Sequence, residues 1–238
     1  MDNAIYATLT RQAGLMSEMR VVANNIANAN TTGFRREGVI FAEHLSALDH
    51  NGDTLSMAHA RGRTLDLDQG VLTQTNGNFD LAIEGEGFFL VETPDGTRLT
   101  RAGAFLPSAE GEVMTAEGFR LLDEGMAPII VPAGASGVAI GADGTLSANG
   151  VVFGKIGVFN APDDAQLTHQ GGTAFTTYSP PEPVDDARIR QGFLEESNVD
   201  SVFEITRMIE VQRAYELGQS FLDREDQRIR SAITGMTR

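Results

Sequence analysis

All eight prolines of this 238-residue chain lie between Pro94 and Pro183, and 23 of its 26 glycines fall between residues 33 and 197, leaving only Gly14, Gly218 and Gly235 outside. Proline removes a helical hydrogen bond and clashes with the preceding turn, and glycine in a helix costs backbone entropy. The two ends are therefore almost free of residues that interrupt helices, while the middle is dense in residues that make turns. This division predicts a helical head, a β- and turn-rich body and a helical tail.

Charge follows the same division. Residues 1–32 carry Asp2 and Glu18 against Arg11 and Arg20, and residues 198–238 carry seven acids against six arginines. The middle therefore holds 24 acids against 10 bases, or −14 of the total −15. With no basic surface to displace counterions, nucleic acid is excluded as a partner, and anionic lipid with it. Neutral ends suit contact with protein, and an acidic body suits water. The chain has no cysteine, so disulfides and thiolate metal sites are excluded. The first residues lack a basic segment followed by an apolar run, so no cleaved signal peptide is expected. No stretch approaches the roughly 20 apolar residues of a membrane span, so no membrane insertion is expected.

Asp2 or Asn3 is placed to cap the head helix, and Asn30-Thr31-Thr32-Gly33 to stop it. Between them Ile5, Leu9, Gln12, Met16, Met19, Ala23 and Ile26 recur at alternating four- and three-residue steps, with Leu15 and Val22 beside them. Asn24, Asn25, Asn28 and Asn30 are poor helix formers with strong hydrogen-bonding side chains. They read equally as a fraying helix end or as polar contacts between subunits. In the tail, Ser201 and Glu204 have capping-box spacing and Asn198 is a second candidate cap. Met208, Val211, Tyr215, Gly218, Leu222, Glu225, Ile229, Ala232 and Met236 form its stripe, which Val202, Ile205 and Ile209 extend. At 1.5 Å per residue the head spans about 42 Å and the tail about 57 Å. Helices of this length owe their stability to packing an apolar face. The fold expected is α+β: long N- and C-terminal helices paired as an antiparallel coiled-coil-like stalk, with a mainly β domain inserted. Two helices leave apolar surface exposed, which calls for further partners.

The expected organisation is a stalk helix over 1–33, an extended or irregular linker over 34–78, a β body over 79–178, a return linker over 179–197 and the second stalk helix over 198–238. In the body, Phe79–Glu84 alternates with period two, Phe88-Phe89-Leu90-Val91 follows a Gly-Glu-Gly turn, and Pro94-Asp95-Gly96 is a hairpin turn. Pro180-Pro181-Glu182-Pro183 reads as a stiff extended return.

Chemistry is sparse. His44, His50, His59 and His169 lack metal-ligand spacing. Gly150-x-x-x-Gly154-Lys155 is one residue short of a phosphate loop and lacks the Ser or Thr for magnesium, and Gly85-Glu86-Gly87 precedes no helix. Asp66-x-Asp68-Gln69-Gly70 is a fragment of a calcium loop. The sequence thus predicts no catalytic residue, no metal and no cofactor.

Three blocks carry a resemblance. Val22-Ala-Asn-Asn-Ile-Ala-Asn-Ala-Asn-Thr-Thr-Gly33-Phe34 resembles the N-terminal motif of the flagellar axial proteins, the rod and hook family. Asp80-Leu-Ala-Ile-Glu-Gly-Glu-Gly-Phe-Phe89 with Thr100–Phe105 resembles the family's central β motif, and Gln191–Val199 with Glu204–Tyr215 its C-terminal motif. The blocks stand in the family's order, with residues 35–78 matching less well. Length and the Met1–Tyr6 opening are similar to the proximal-rod members, with distal-rod or hook-type axial proteins as the alternative. The resemblance implies a structural, non-enzymatic subunit of the bacterial flagellar basal-body rod. Its terminal helices would form the inner tube of a helical assembly and transmit torque from rotor to hook. Implied partners are copies of itself, other flagellar rod proteins and the flagellar type III export apparatus, with export across the periplasm and no cleaved signal. The subunit-packing residues expected are Ile5, Leu9, Met16, Met19, Val22, Asn24, Asn25, Ile26 and Asn28 in the head. In the tail they are Val202, Ile205, Met208, Ile209, Val211, Tyr215, Leu222 and Ile229. The reading from another class, an extracytoplasmic β-rich carbohydrate-binding protein or enzyme, would need clustered carboxylates or aromatic platforms, and the chain has no tryptophan.

Overall fold

The computed structural model describes residues 2–47, 54–135, 137–162, 167–184 and 186–236, with side chains described for all but 2–4 and 41–61. The expected caps Asp2 and Asn3 therefore lie outside the described side chains, as do His44 and His59, and His50 lies outside the described residues.

The fold is α+β: one helix at each end, α1 (Asp2–Ala27) and α2 (Ser201–Met236), and strands throughout the middle. The chain forms two compact units. The first comprises Met1–Ala27, Arg36–Asp66 and Val199–Arg238, and the second Asn28–Arg35 and Leu67–Asn198.

In the first unit, α1 packs against α2 and against an antiparallel hairpin of β1 (Glu37–Ala47) and β2 (Thr54–Leu65). The strands pair from Glu37↔Leu65 to Ala47↔Thr54, with a bulge between Ile40 and Phe41. Residues 34–78, expected as an extended or irregular linker, thus contain the two longest strands among the described residues. The start of α2 also differs from expectation. The Asp200 carboxylate accepts the backbone N–H groups of Val202 (2.9 Å) and Phe203 (3.1 Å), so Asp200 is the N-cap. Asn198 instead donates to the Asp68 carbonyl at 3.0 Å, and the Glu204 side chain is engaged by Arg36 rather than closing a capping box. Asp200→Ala is expected to cost about 1 kcal/mol of helix stability, read as a lower midpoint in thermal unfolding followed by far-UV circular dichroism.

The second unit is antiparallel β structure. β3 (Leu72–Gln74) pairs with Phe193–Glu195, and β4 (Leu81–Glu84) pairs with Arg188–Gln191. β5 (Phe88–Thr93) pairs with β6 (Gly96–Thr100), with Thr93 opposite Gly96 across the Pro94-Asp95 turn as expected. It also pairs with Val158–Asn160 and Arg120–Leu121. In β4, Leu81, Ala82 and Ile83 are all buried, so the strand is covered on both faces rather than alternating between core and water. The core gathers Leu81, Ile83, Phe89, Val91, Phe105, Leu121 and Ile156, with Phe89 and Phe105 edge to face at 5.4 Å. Residues 179–197, expected as a return linker, belong to this sheet system: Glu182–Pro183 pairs with Phe159 and Asn160, and two further strands follow.

A buried ionic cluster ties together the segments that enter and leave this unit. Glu195, wholly buried, faces Arg35 and Arg101. It also accepts the Gly70 N–H at 2.9 Å, while its backbone carbonyl accepts the Gly33 N–H at 2.8 Å. Burial pushes the Arg101 guanidinium below its ordinary value; Glu195 pulls it back up, and Arg35 adds to the depression. Gly33 holds φ at +72°, and a Cβ there would lie 2.2 Å from the Ala102 nitrogen, so only glycine fits this approach. The next residue, Phe34, is fully buried and meets the His169 ring edge-on at 5.7 Å.

Candidate assembly interface

The candidate surface is what the first unit leaves exposed on its helices. Polar contacts fix how those helices meet. Gln12 donates to the Tyr215 carbonyl and to Gln219, both at 3.4 Å, and Arg207 donates to Glu18 at 2.7 Å. Residue numbers therefore climb along α1 as they fall along α2. Arg36 donates to buried Glu204 at 2.6 Å and lies over the Phe203 ring at 5.2 Å. The Asn25 amide donates to the Glu37 carbonyl at 2.8 Å, and its oxygen accepts the Glu37 N–H at 3.0 Å. That two-way clamp joins the end of α1 to the first residue of β1.

These contacts sort the expected packing residues. Val22, Asn25 and Val211 are buried within the chain, and Ile5, Met19, Asn24, Ile26, Asn28, Met208, Tyr215 and Leu222 are half-buried. Leu9, Met16, Val202, Ile205, Ile209 and Ile229 are exposed. Asn25 serves an intrachain clamp, and Asn28 caps a local turn by accepting from Thr31 through its backbone and side chain.

The α1 stripe read from the sequence straddles two faces. The buried line runs through Gln12, Glu18, Val21, Val22 and Asn25, because α1 packs against both α2 and the hairpin. On α2 the expected stripe is covered in its middle only, with Val202, Ile205 and Ile209 at its start exposed. Met208 through Glu225 are covered at stripe positions, but every residue from Asp226 to Met236 is exposed. Past Glu225, Ile229 and Met236 of the expected stripe and Ile233 beside it are 40%, 89% and 57% exposed.

On one flank of the helix pair, a groove of about 370 Å³ is lined by Thr8, Arg11, Gln12 and Leu15 of α1 and by Ala214, Leu217, Gly218 and Phe221 of α2. A Cβ on Gly218 would come within 3.2 Å of the Gln12 amide, so glycine lets the helices approach and leaves the floor open. Of the polar residues that fix this arrangement, Gln12 stood in the periodic stripe of α1, whereas Glu18, Arg36, Glu37 and Arg207 did not. Glu18 and Arg207 are charged residues on helices, while Arg36 and Glu37 lie outside both helices, at the entry to β1.

Among the described residues no group of three or more His, Asp or Glu side chains is placed to hold a metal, and no helix is long and apolar enough to cross a membrane. His169, one of the four histidines, packs between Phe34 and Phe175.

Known families match in three places. The family profile described as "Flagella basal body rod protein" matches residues 5–35, "Flagellar hook protein FlgE/F/G D1 domain" matches 82–148, and "Flagellar basal body rod FlgEFG protein C-terminal" matches 190–234. The "Flagellar basal-body rod protein FlgF" of Caulobacter vibrioides is 40% identical over 239 residues, covering 98% of this chain and 97% of the relative. This chain belongs to the flagellar basal-body rod protein family. The FlgF of Mesorhizobium japonicum is 39% identical, with 91% and 90% covered, and the "Flagellar basal-body rod protein FlgG" of Bacillus subtilis is 30% identical, with 98% of both covered. Among these rod proteins the chain is thus more like those called FlgF than the one called FlgG. The rod family is structural and not enzymatic, which sets aside the carbohydrate-binding or enzymatic reading. The three matches coincide with α1 and the turn after it, the β body, and the final strands with α2.

Proposed function

We propose that this chain is a structural subunit of the proximal rod of the bacterial flagellar basal body, assembling helically through its terminal helices and transmitting torque from rotor to hook. The carrying observation is that α1 and α2 coincide with the two terminal rod-family matches and still expose large apolar side chains after packing on each other. In this reading the helices form an antiparallel coiled-coil-like stalk. The opposite-running contacts of Gln12 and Glu18 with α2 support it. Leu9, Met16, Val202, Ile205, Ile209 and Ile229 meet neighbouring subunits, which are copies of this chain and other rod proteins. Val22, Asn25 and Val211 hold the stalk itself together. Subunits reach the periplasm-crossing rod through the flagellar type III export apparatus without a cleaved signal.

Removing this chain from a motile cell tests the proposal. Basal bodies are expected to stop short of a hook and cells to be non-motile, with both restored by the intact chain. Hooked, motile cells lacking the chain would overturn it.

A further inference from the structure

We infer that the exposed end of α2 in one copy seats in the α1–α2 groove of a second copy. The inference rests on the reading of this chain as a self-assembling subunit. The end of α2 presents Ile229, Ile233 and Met236 at steps of four and three, a stripe continuous with the seam that α1 covers further along the helix. The groove is its complement: an apolar floor of Leu15, Leu217 and Phe221, opened by Gly218.

Charge agrees with this pairing. Exposed Arg11 stands on the groove rim, and Asp226 lies one turn before Ile229 at the edge of the stripe. Among the described residues Asp226 pairs with Arg230 four residues on (2.8 Å, side chains 59% and 78% exposed). Such pairs contribute little, so exchanging Arg230 for Arg11 is not opposed. Glu225 is likewise balanced by Arg228 at 2.6 Å, leaving a nearly neutral apolar stripe suited to a protein groove. The centres of groove and stripe lie about 22 Å apart along α2 at 1.5 Å per residue. Because the two patches differ, the contact cannot close on itself. It joins copies head to tail in an open series, each displaced by a step of that order.

The cysteine-free chain makes this directly testable. Leu217→Cys and Ile233→Cys sit about 24 Å apart on one helix, far beyond the roughly 7 Å limit for a disulfide, so any bond between them joins two copies. In cells whose own copy is replaced by a mixture of the two single variants, oxidised basal bodies are expected to yield a linked pair at twice the chain mass. The double variant is expected to yield a ladder. Motile cells that give no 217–233 link, or give only 217–217 or 233–233 links, would overturn the proposal while leaving the rod function standing. So would a link to a different rod protein. Charge reversal is the second arm. Arg11→Asp is expected to cut motility at least tenfold and Arg11→Asp with Asp226→Arg to restore it; a double variant as defective as the single one would overturn the pairing.

Discussion

Glu195→Gln is expected to destabilise the β unit by about 3–5 kcal/mol, because it leaves two buried guanidinium groups without their counter-charge. Arg35 and Arg101 both face this carboxylate, and all three side chains are at most 4% exposed. The Nε and Nη2 of Arg35 find no hydrogen-bond partner among the described residues, so Arg35 depends on Glu195 more than Arg101 does. Arg101 also donates to the Gly85 carbonyl at 2.6 Å and lies over the Phe88 ring. With a urea slope of about 2 kcal/mol/M, the midpoint should fall by about 2 M. The neighbouring exposed Glu196 accepts from Thr73 at 2.7 Å, and Glu196→Gln should stay within about 0.5 kcal/mol of the parent. Equal effects at the two positions would show that the cluster does not carry the unit's stability.

Ile209→Asp is expected to abolish rod assembly and motility while changing the stability of the isolated chain by no more than about 0.5 kcal/mol. Ile209 is 45% exposed, so a carboxylate there stays in water until a neighbour covers it and then meets the desolvation penalty. Val211 lies two residues on, about 200° around the helix, and is 2% exposed. Val211→Asp should instead unfold the helical unit before assembly is reached, visible as lost helical signal in the purified chain. Normal motility with Ile209→Asp would remove this face from the interface.

The contrast between those neighbours shows what the sequence carried and what it did not. Helix existence was legible because proline and glycine are confined to the middle and apolar residues recur at helical steps. The α2 face was legible because a single partner covers it, so one stripe suffices from Met208 to Glu225. The α1 face was not, because two partners bury two adjacent faces and a single-stripe reading averages them. The β1–β2 hairpin was missed although Asn51-Gly52 between its two runs is a strong hairpin dipeptide. Mixed polarity in Glu37–Ala47 hid the strand, since one of its partners is a helix and not a second sheet. The Asp200 cap was hidden by a rival Ser201 with correct spacing to Glu204, which the Arg36 ion pair overrides. The Arg35–Glu195–Arg101 cluster joins positions far apart in the chain, and no local pattern announces such a meeting. Family membership was legible from three ordered motifs. One of them has a physical basis in the unit itself: Gly33 and Phe34 are required by a close backbone approach and a filled aromatic site.

A density map of the isolated basal body, resolved to side chains along the rod, tests the central claim most directly. The account predicts that Leu9, Met16, Val202, Ile205, Ile209 and Ile229 lie in contacts with neighbouring subunits, with the helices packed around the axis. A rod held together by contacts between β bodies, with those six side chains in water, would contradict it.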